Sequence, residues 1–563
     1  MLRYDLAALR LPALDSVWRL RLAALVAAVV AVLIRIPFAA RRLWDHDSIQ
    51  FALGVERYDL SAHHPHPPGY PLYIGILKLL GLAGIEPLQG MVALAILSGG
   101  LGAAAILRLA TRLSGGKLWA GVLAAALFAT NPLLWFYGEL PLLYAVEGGL
   151  TVAIAATVLR MGEGRAAFYG AVALFSLVGG LRQSTMVLLA PLFLYGLWRA
   201  WRDGRLPLAR IALGAVLGVG LVLAWFVPLC LEAGGYAEYQ RIGAEHFRTL
   251  LPETSILYGA GWGALRHNLE VLVKWTLQGI LPGAVALLVL GAVTLATAPR
   301  RAAEPLRALR KHAVPLAFWA LPPLAFFALF HVTKAGYTLV YQPALLTAFA
   351  LLAAPWFERG STTPAARAAF PWRPLLASAV AVAMGAGIFL FGTDRKPEEP
   401  RLFAVVHHEF RAAAIREFED DLDRTLETLR RYPPGSTVLV TVELSGTGAA
   451  GADGFLYPWQ RHLQWYLPEY LVVHAVPEQD LAFVARGHER FHEELSQLWV
   501  PARTTRLIYV LSGWPGSRMP LGPGVVAAQG KWFTLAVVPF RGSARIGPLV
   551  VTAEKVRLAA KFD

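Results

Sequence analysis

Acidic, imidazole and cationic side chains suited to work on a hydroxyl and a phosphate are concentrated in a few short stretches of an otherwise apolar chain. The richest is Trp44–Tyr73, reading WDHDSIQFALGVERYDLSAHHPHPPGYPLY. Asp47, Gln50, Phe51 and Gly54 stand at i, i+3, i+4 and i+7, so the spacing predicts a short helix opening at Asp47. A carboxylate there is favoured in its charged form by the helix dipole, which suits either a base or a metal ligand. Asp45 stands beside it. An ordinary solvated N-cap has the same spacing, so the helix alone does not decide the role. The run His63-His64-Pro65-His66-Pro67-Pro68-Gly69-Tyr70-Pro71 leaves two readings open. The prolines impose extended geometry and no second His or Cys pair lies near, which favours an interfacial turn over a metal cluster. The other reading has His66 meeting a phosphate at the membrane surface.

These residues act together only if the rest of the chain gathers them, and the rest of the chain is built for a bilayer. Of 563 residues, 56% are hydrophobic and 16% charged, with a mean hydropathy of +0.50. That is too apolar for a soluble surface. Apolar runs of about 17–25 residues, each enough to cross roughly 30 Å of hydrocarbon, recur along the first two thirds. They are Trp18–Ile36, Gln89–Leu113, Leu118–Tyr137, Leu140–Leu159, Ala166–Leu181, Met186–Trp201, Ile211–Leu231, Trp275–Ala296, Val314–Phe330, Tyr337–Trp356 and Pro374–Phe391. Pro68–Ile85 is shorter and broken by proline and glycine. The formal charge of +14 comes from clusters between spans and forms no continuous stripe, which argues against nucleic acid and for topology. The clusters face one side only if Pro68–Ile85 does not cross, which is permitted for a re-entrant or interfacial helix. About eleven crossings follow, with the amino terminus inside and the carboxy-terminal part outside; Arg41, Arg42 and Arg57 then lie on the outer side.

The first apolar run follows four arginines and reads as an uncleaved first helix. One cysteine, Cys230, gives neither a disulfide framework nor a thiolate metal site. The predicted fold is thus an α-helical polytopic membrane protein with a small carboxy-terminal α/β domain. Residues 1–392 form the membrane module, 393–432 a linker and amphipathic helix, and 433–563 the α/β domain. In the last part, β-branched runs at Thr437–Val442, Arg506–Leu511, Phe533–Val538 and Leu549–Thr552 read as strands, and Asp480–Leu498 as a helix. The topology sets Glu139, Arg182 and Lys334 at the ends of spans on the side of Asp47. Arg182, in Gly179-Gly180-Leu181-Arg182-Gln183-Ser184, interrupts an apolar helical pair where an unpaired cation is costly. Snorkelling to lipid headgroups is the plain alternative for both cations. Aromatic residues between Glu232 and Trp262, with His246 and Tyr258 among them, read either as an interfacial belt or as a lid that excludes water.

The aspartate that opens a helix containing Phe51-Ala52-Leu53, followed by His66-Pro67-Pro68-Gly69-Tyr70-Pro71-Leu72-Tyr73, resembles the first external loop of the GT-C superfamily. That superfamily includes protein O-mannosyltransferases and the lipid A aminoarabinose transferase. The resemblance implies a multi-span enzyme that transfers a sugar from a polyprenyl-phosphate carrier with inversion. Its catalytic acidic residue falls on Asp47, and the basic residue before the Pro-Pro pair falls on His66, where aminoarabinose transferases carry lysine. Trp135-Phe136-Tyr137-Gly138-Glu139 and Tyr144 resemble the second-loop motif, which makes Glu139 the candidate second carboxylate with Glu147 behind it. His331-Val332-Thr333-Lys334-Ala335-Gly336-Tyr337 resembles a basic motif between late spans.

Together these readings set Asp47 as general base, with Asp45 and Glu139 as companion acids. Arg182, Lys334 and His66 would stabilise the phosphate leaving group. Tyr70, His246, Tyr258 and Tyr337 are candidate acceptor or lid residues. Asp47 with Glu139 offers two carboxylates to a divalent metal without selecting one. The expected partners are a polyprenyl-phosphate-linked sugar, an acceptor that is protein, lipid or glycan, and the bilayer. The expected place is a bacterial inner or plasma membrane, with the active site and carboxy-terminal domain extracytoplasmic. A transporter or lipid flippase is the competing class; repeated halves and midplane charges, its usual marks, are not evident. A non-catalytic assembly or sensor protein that works through its α/β domain is the third.

Overall fold

The computed structural model describes residues 16–301, 304–357, 371–394, 405–442, 460–475, 497–512, 525–546 and 549–552. All eleven predicted spans fall on helices. In chain order the helices are α1 (Ser16–Leu33), α2 (His46–Glu56), α3 (Pro71–Leu82), α4 (Pro87–Leu113), α5 (Leu118–Ala129), α6 (Pro132–Tyr137), α7 (Tyr144–Val158), α8 (Arg165–Leu181) and α9 (Gln183–Arg202). They continue with α10 (Leu208–Glu232), α11 (Tyr236–Thr254), α12 (Gly261–Thr297), α13 (Glu304–Arg310), α14 (Ala313–Leu329), α15 (Gln342–Phe357) and α16 (Trp372–Phe391). Five, namely α1 with its 3-10 extension, α4, α10, α12 and α16, are each long and apolar enough to cross a bilayer. This is an integral membrane protein.

Several spans differ from their predicted bounds for local reasons. The run Leu118–Tyr137 breaks at Thr130–Asn131 because Pro132 cannot continue the helix and Asn131 caps a new one, its Oδ1 accepting from the Leu133 and Leu134 amides at 3.0 Å. The next span begins at Tyr144 instead of Leu140, since the chain turns through Gly138–Leu143 and the Glu139 carbonyl accepts from the Ala40 amide at 2.9 Å. A 3-10 turn, Ala335–Val340, replaces the predicted start of α15. Glu232–Trp262 is dominated by α11, and α12 runs 37 residues, far beyond Trp275–Ala296.

Helix α4 lies at the centre, packed by α1, α5 and α7. Its buried face includes Gly99, Gly100, Gly102 and Ala103, small residues that let neighbouring helices approach where lipid supplies no hydrophobic drive. Asn131 ties three segments at the end of α5: its Nδ2 donates to the Gly279 carbonyl and to Gln342 Oε1, both at 2.9 Å.

Beyond the bundle, α17 (Ala412–Leu429) buries Ile415, Phe418, Leu422, Leu426 and Leu429, the helical spacing predicted for it. A short α18 (Gln460–Tyr466) follows β1 (Thr437–Val442). The remaining strands are β2 (Leu471–Ala475), β3 (Gln497–Trp499), β4 (Arg506–Ser512), β5 (Val525–Gln529), β6 (Phe533–Pro539), β7 (Ser543–Ile546) and β8 (Leu549–Thr552). A five-stranded sheet has the order β2-β1-β4-β6-β5, with β1 parallel to β2 and β4 and the β6 pairings antiparallel. A second sheet has the order β3-β8-β7. Most of the predicted helix Asp480–Leu498 lies outside the described residues, and its last residues, Gln497 and Leu498, belong to β3 instead. Helix α17 docks on the larger sheet through Asp421, whose Oδ2 accepts from the Trp532 amide at 2.6 Å.

Asn131→Ala removes a helix cap and leaves Gln342 without one of its donors. It is expected to destabilise the protein by ~1–3 kcal/mol, read as a lower thermal unfolding midpoint in detergent.

Candidate active site

The acidic helix is capped two residues earlier than its apolar spacing implies. Asp45 is the N-cap: its Oδ1 accepts from the Ser48 amide and Ser48 Oγ accepts from the Asp45 amide, each at 3.0 Å. This reciprocal pair satisfies two amides that a helix start leaves orphaned. Asp47 is therefore in the first turn and is spared capping duty. Its Oδ2 accepts from Lys334 Nζ at 2.6 Å and from the Tyr144 hydroxyl at 3.3 Å. The same ammonium donates to Asp45 Oδ2 at 2.5 Å. One cation thus bridges two carboxylates, with side-chain exposures of 13% for Lys334, 2% for Asp45 and 20% for Asp47. Lys334 immediately precedes the 3-10 turn, which fits against the Tyr144 ring because Gly336 has no Cβ to collide with it.

Burial pushes the Asp45 carboxyl up, against the pull of Lys334. Burial opposes charge on Asp47 as well, but the ammonium beside it prevails and holds its carboxyl well below the usual carboxylate range. Asp47 is ionised at neutral pH.

The His63–Tyr70 turn folds against α2. Asp59 and His64 exchange backbone hydrogen bonds of 2.7 and 2.8 Å. Tyr70, with φ of 51°, sits in the left-handed region that a tyrosine rarely adopts. From there its hydroxyl meets His66 Nε2 at 2.7 Å. Burial pulls the His66 ring down to about 4, so it is neutral at physiological pH. When Tyr70 donates to Nε2, the ring proton sits on Nδ1, a buried atom with no partner among the described residues. The lowered value carries a pH sign: the unfolded ring takes up a proton near 6.5 and the folded one does not, so stability falls as pH drops from there towards 4.

Arg182 stands at the junction of α8 and α9. Its Nη1 donates to Glu147 Oε2 at 2.8 Å, and Thr185 Oγ1 donates to the other carboxylate oxygen. The guanidinium lies 4.6 Å from the Tyr337 ring centroid and 5.5 Å from that of Tyr144, a cation–π arrangement. The arginine that seemed costly from sequence is thus paired and stacked. Arg182, His66, Tyr70 and Tyr337 line a cavity of about 620 Å³ together with Gln183, Tyr239, His246, Phe247, Tyr258, His331 and the rings of Phe326, Phe327 and Phe330. Helix α11 covers it, with His246 5.3 Å from the His63 ring and 6.4 Å from that of His66. Burial holds His331 down to about 4. Tyr144 links this cavity to the carboxylates, since it touches both Tyr337 and Asp47.

The structure therefore brings together Asp45, Asp47 and Lys334, and beside them His66, Tyr70, Arg182, His246, Tyr258 and Tyr337. It does not bring Glu139 to Asp47. That side chain is fully buried, its charged neighbours are Arg35 and Arg416, and burial pushes its carboxyl well up. The bend at Gly138–Leu143 turns it towards the end of α1. The pair proposed for a divalent metal is thus not assembled. Among the described residues no group of three or more His, Cys, Asp or Glu converges, and an ammonium occupies the place between Asp45 and Asp47. Lys334 serves the carboxylates and is not among the cavity-lining residues. Residue spacing gave no sign of Thr185 at the site; Tyr144, Glu147 and His331 were visible only as members or neighbours of the motifs around Glu139 and Lys334.

Lys334→Met leaves two buried carboxylates without their cation, a change expected to cost about 3–5 kcal/mol at neutral pH. Burial then raises both carboxyls, so the folded protein binds more protons than the unfolded chain and stability falls with rising pH. Thermal unfolding between pH 5 and 8 should show the variant most stable at the acid end.

No protein-family model matches this chain, and no curated protein matches it. Among solved structures, that of ArnT from Cupriavidus metallidurans in the apo state aligns with a TM-score of 0.55 at 15% identity, covering 93% of this chain and 98% of that one. A likeness at that identity speaks to the fold, and it spans both the helical bundle and the distal sheets. The chain shares the fold of that structure, a helical membrane bundle followed by a small sheet-bearing part.

Proposed function

We propose that this protein is an inverting glycosyltransferase that moves a sugar from a polyprenyl monophosphate to an acceptor hydroxyl at the extracytoplasmic face. The observation that carries the reading is an ionised carboxylate, Asp47, joined through Tyr144 to an aromatic cavity whose wall bears Arg182 and His66. ArnT is the structural neighbour that fits such chemistry.

Among the described residues both partners of Asp47 fall on Oδ2, which leaves Oδ1 to accept from the incoming hydroxyl. The acceptor oxygen attacks the anomeric carbon as the bond to the phosphate oxygen breaks, and the electron pair leaves with the phosphate. Arg182, on the cavity wall beside the His66 ring, meets the charge that grows there. A carboxylate held so low is a weak base for a resting hydroxyl. It suffices once the oxygen has begun to bond to carbon and its proton has become strongly acidic. Lys334 then has Asp45 as its remaining anion, so Asp47 takes the proton without stranding a cation. The rings along the cavity suit an isoprenoid carrier near its phosphate, and α11 would keep water from competing with the acceptor.

Asp47→Asn preserves the helix, because Asp45 carries the cap. It is expected to lower transfer by ~10²–10⁴-fold. The check is product formation by purified protein in detergent with a panel of labelled polyprenyl-phosphate sugars, which also sets an enzyme apart from a transporter that needs a sealed bilayer. Full activity of Asp47→Asn would remove the assigned base.

A further inference from the structure

The chain from the end of α1 to the start of α3 carries Asp47 on only three turns of helix; the rest is turn and loop. On its upstream flank five hydrogen bonds come from the distal part of the chain. Arg416 of α17 donates to the Pro37 and Ala39 carbonyls at 3.2 and 3.0 Å. Glu419 accepts from the Arg41 amide at 2.5 Å, Asp423 pairs with Arg42 at 2.8 Å, and the Tyr466 hydroxyl accepts from the Leu43 amide at 2.9 Å. The Trp44 ring lies 4.7 Å from that of Phe418.

On the downstream flank the distal part reaches in through Arg461. It is 2% exposed, its Nη2 donates to the Ala62 carbonyl at 3.0 Å, and its Nη1 meets His64 Nε2 at 2.9 Å. Short α18 thus carries Arg461 and Tyr466 to opposite ends of the acidic loop. The grip reaches the carboxylate through contact. His64 and Pro65 abut α2 at Gly54, where an added Cβ would lie 2.9 Å from Pro65 Cδ and 3.0 Å from the His64 carbonyl carbon. Gly54 is seven residues after Asp47, hence on the same helix face. The seat of His64–Pro65 therefore sets the rotation of α2 and the direction of Asp47. Arg461 also acts on His46, the neighbour of Asp47, whose ring burial and then this guanidinium keep neutral.

We propose that Arg461 is a positioning residue for Asp47, so that the distal domain forms part of the catalytic apparatus instead of standing apart as an acceptor-recognition module. The proposal rests on the transferase reading above. Arg461 reaches neither the cavity wall nor the Asp47 carboxylate, so its loss should leave donor binding intact and impair the chemical step.

The test uses the full-length protein in detergent with Arg461→Met, Arg461→Lys and His64→Ala. For Arg461→Met, kcat should fall at least tenfold while KM for the carrier-linked sugar stays within twofold. Arg461→Lys should recover part of the rate, since an ammonium can still serve one of the two acceptors. Amide hydrogen exchange across residues 46–66 should quicken while α4 and α7 keep their protection. A kcat for Arg461→Met within twofold of the unsubstituted protein, or a loss expressed in KM alone, overturns the proposal. Should Arg461→Met not fold, His64→Ala removes the same contact from the loop side and carries the same expectation. If the unsubstituted protein transfers sugar from no carrier tested, the transferase reading fails by itself. Exchange across 46–66 then decides the positioning role, and unchanged protection rejects it.

Discussion

Two carboxylates at the start of the first loop cannot both stay ionised in a buried setting without a cation, and one lysine from nearly three hundred residues later supplies it. The Lys334 ammonium binds Asp45 and Asp47 at 2.5 and 2.6 Å. Repulsion between the acids and the cost of dehydrating them are both met at that point. Because Tyr144 of α7 joins the same oxygen, three segments distant in sequence have their relative places set by one cluster. The turn before α15 cannot shift without disturbing the helix that carries Asp47.

A second charge system faces this one across the tyrosines. Arg182 is paired with the buried Glu147 and spread over the Tyr337 face, so its position is set while the cavity keeps a donor-rich wall. His66 remains uncharged at neutral pH and adds no second permanent cation to the wall. This separation matters because opposite charges in a low-dielectric site would otherwise collapse onto one another. Tyr144 and Tyr337 hold the two apart while keeping both in reach of one substrate.

Much of this was legible in the residues because membrane chemistry makes few patterns. Apolar length alone marked eleven runs, all of which fall on helix, and among the described residues five of those helices are long enough to cross; Pro68–Ile85 carries the 12-residue α3. The proximity of Asp47 to Lys334 and Arg182 followed from placing span ends on one side. What failed was local or long-range in a way spacing does not encode. The helix starts from Asp45 because of a reciprocal bond with Ser48, a competitor that apolar periodicity does not see. Glu139 looked like a second catalytic acid by its motif, but the turn at Gly138–Leu143 sends it to Arg35. Arg461 carried no signal, since its partners are a carbonyl and a histidine about four hundred positions earlier.

Helix α12 has a mechanical meaning for the covering segment. Its 37 residues span about 55 Å, well beyond roughly 30 Å of hydrocarbon, so one end stands proud of the bilayer like a mast. The base of α11 is bolted to it: Asn268 donates to the Thr254 and Ala328 carbonyls, and Ser255 Oγ to that of Leu329. At the other end, the Tyr239 hydroxyl and the Gln183 amide tie it to α9, Ile242 packs on Trp225 and Leu229, and three residues join it to α10. Held at both ends, the boom stays across the cavity.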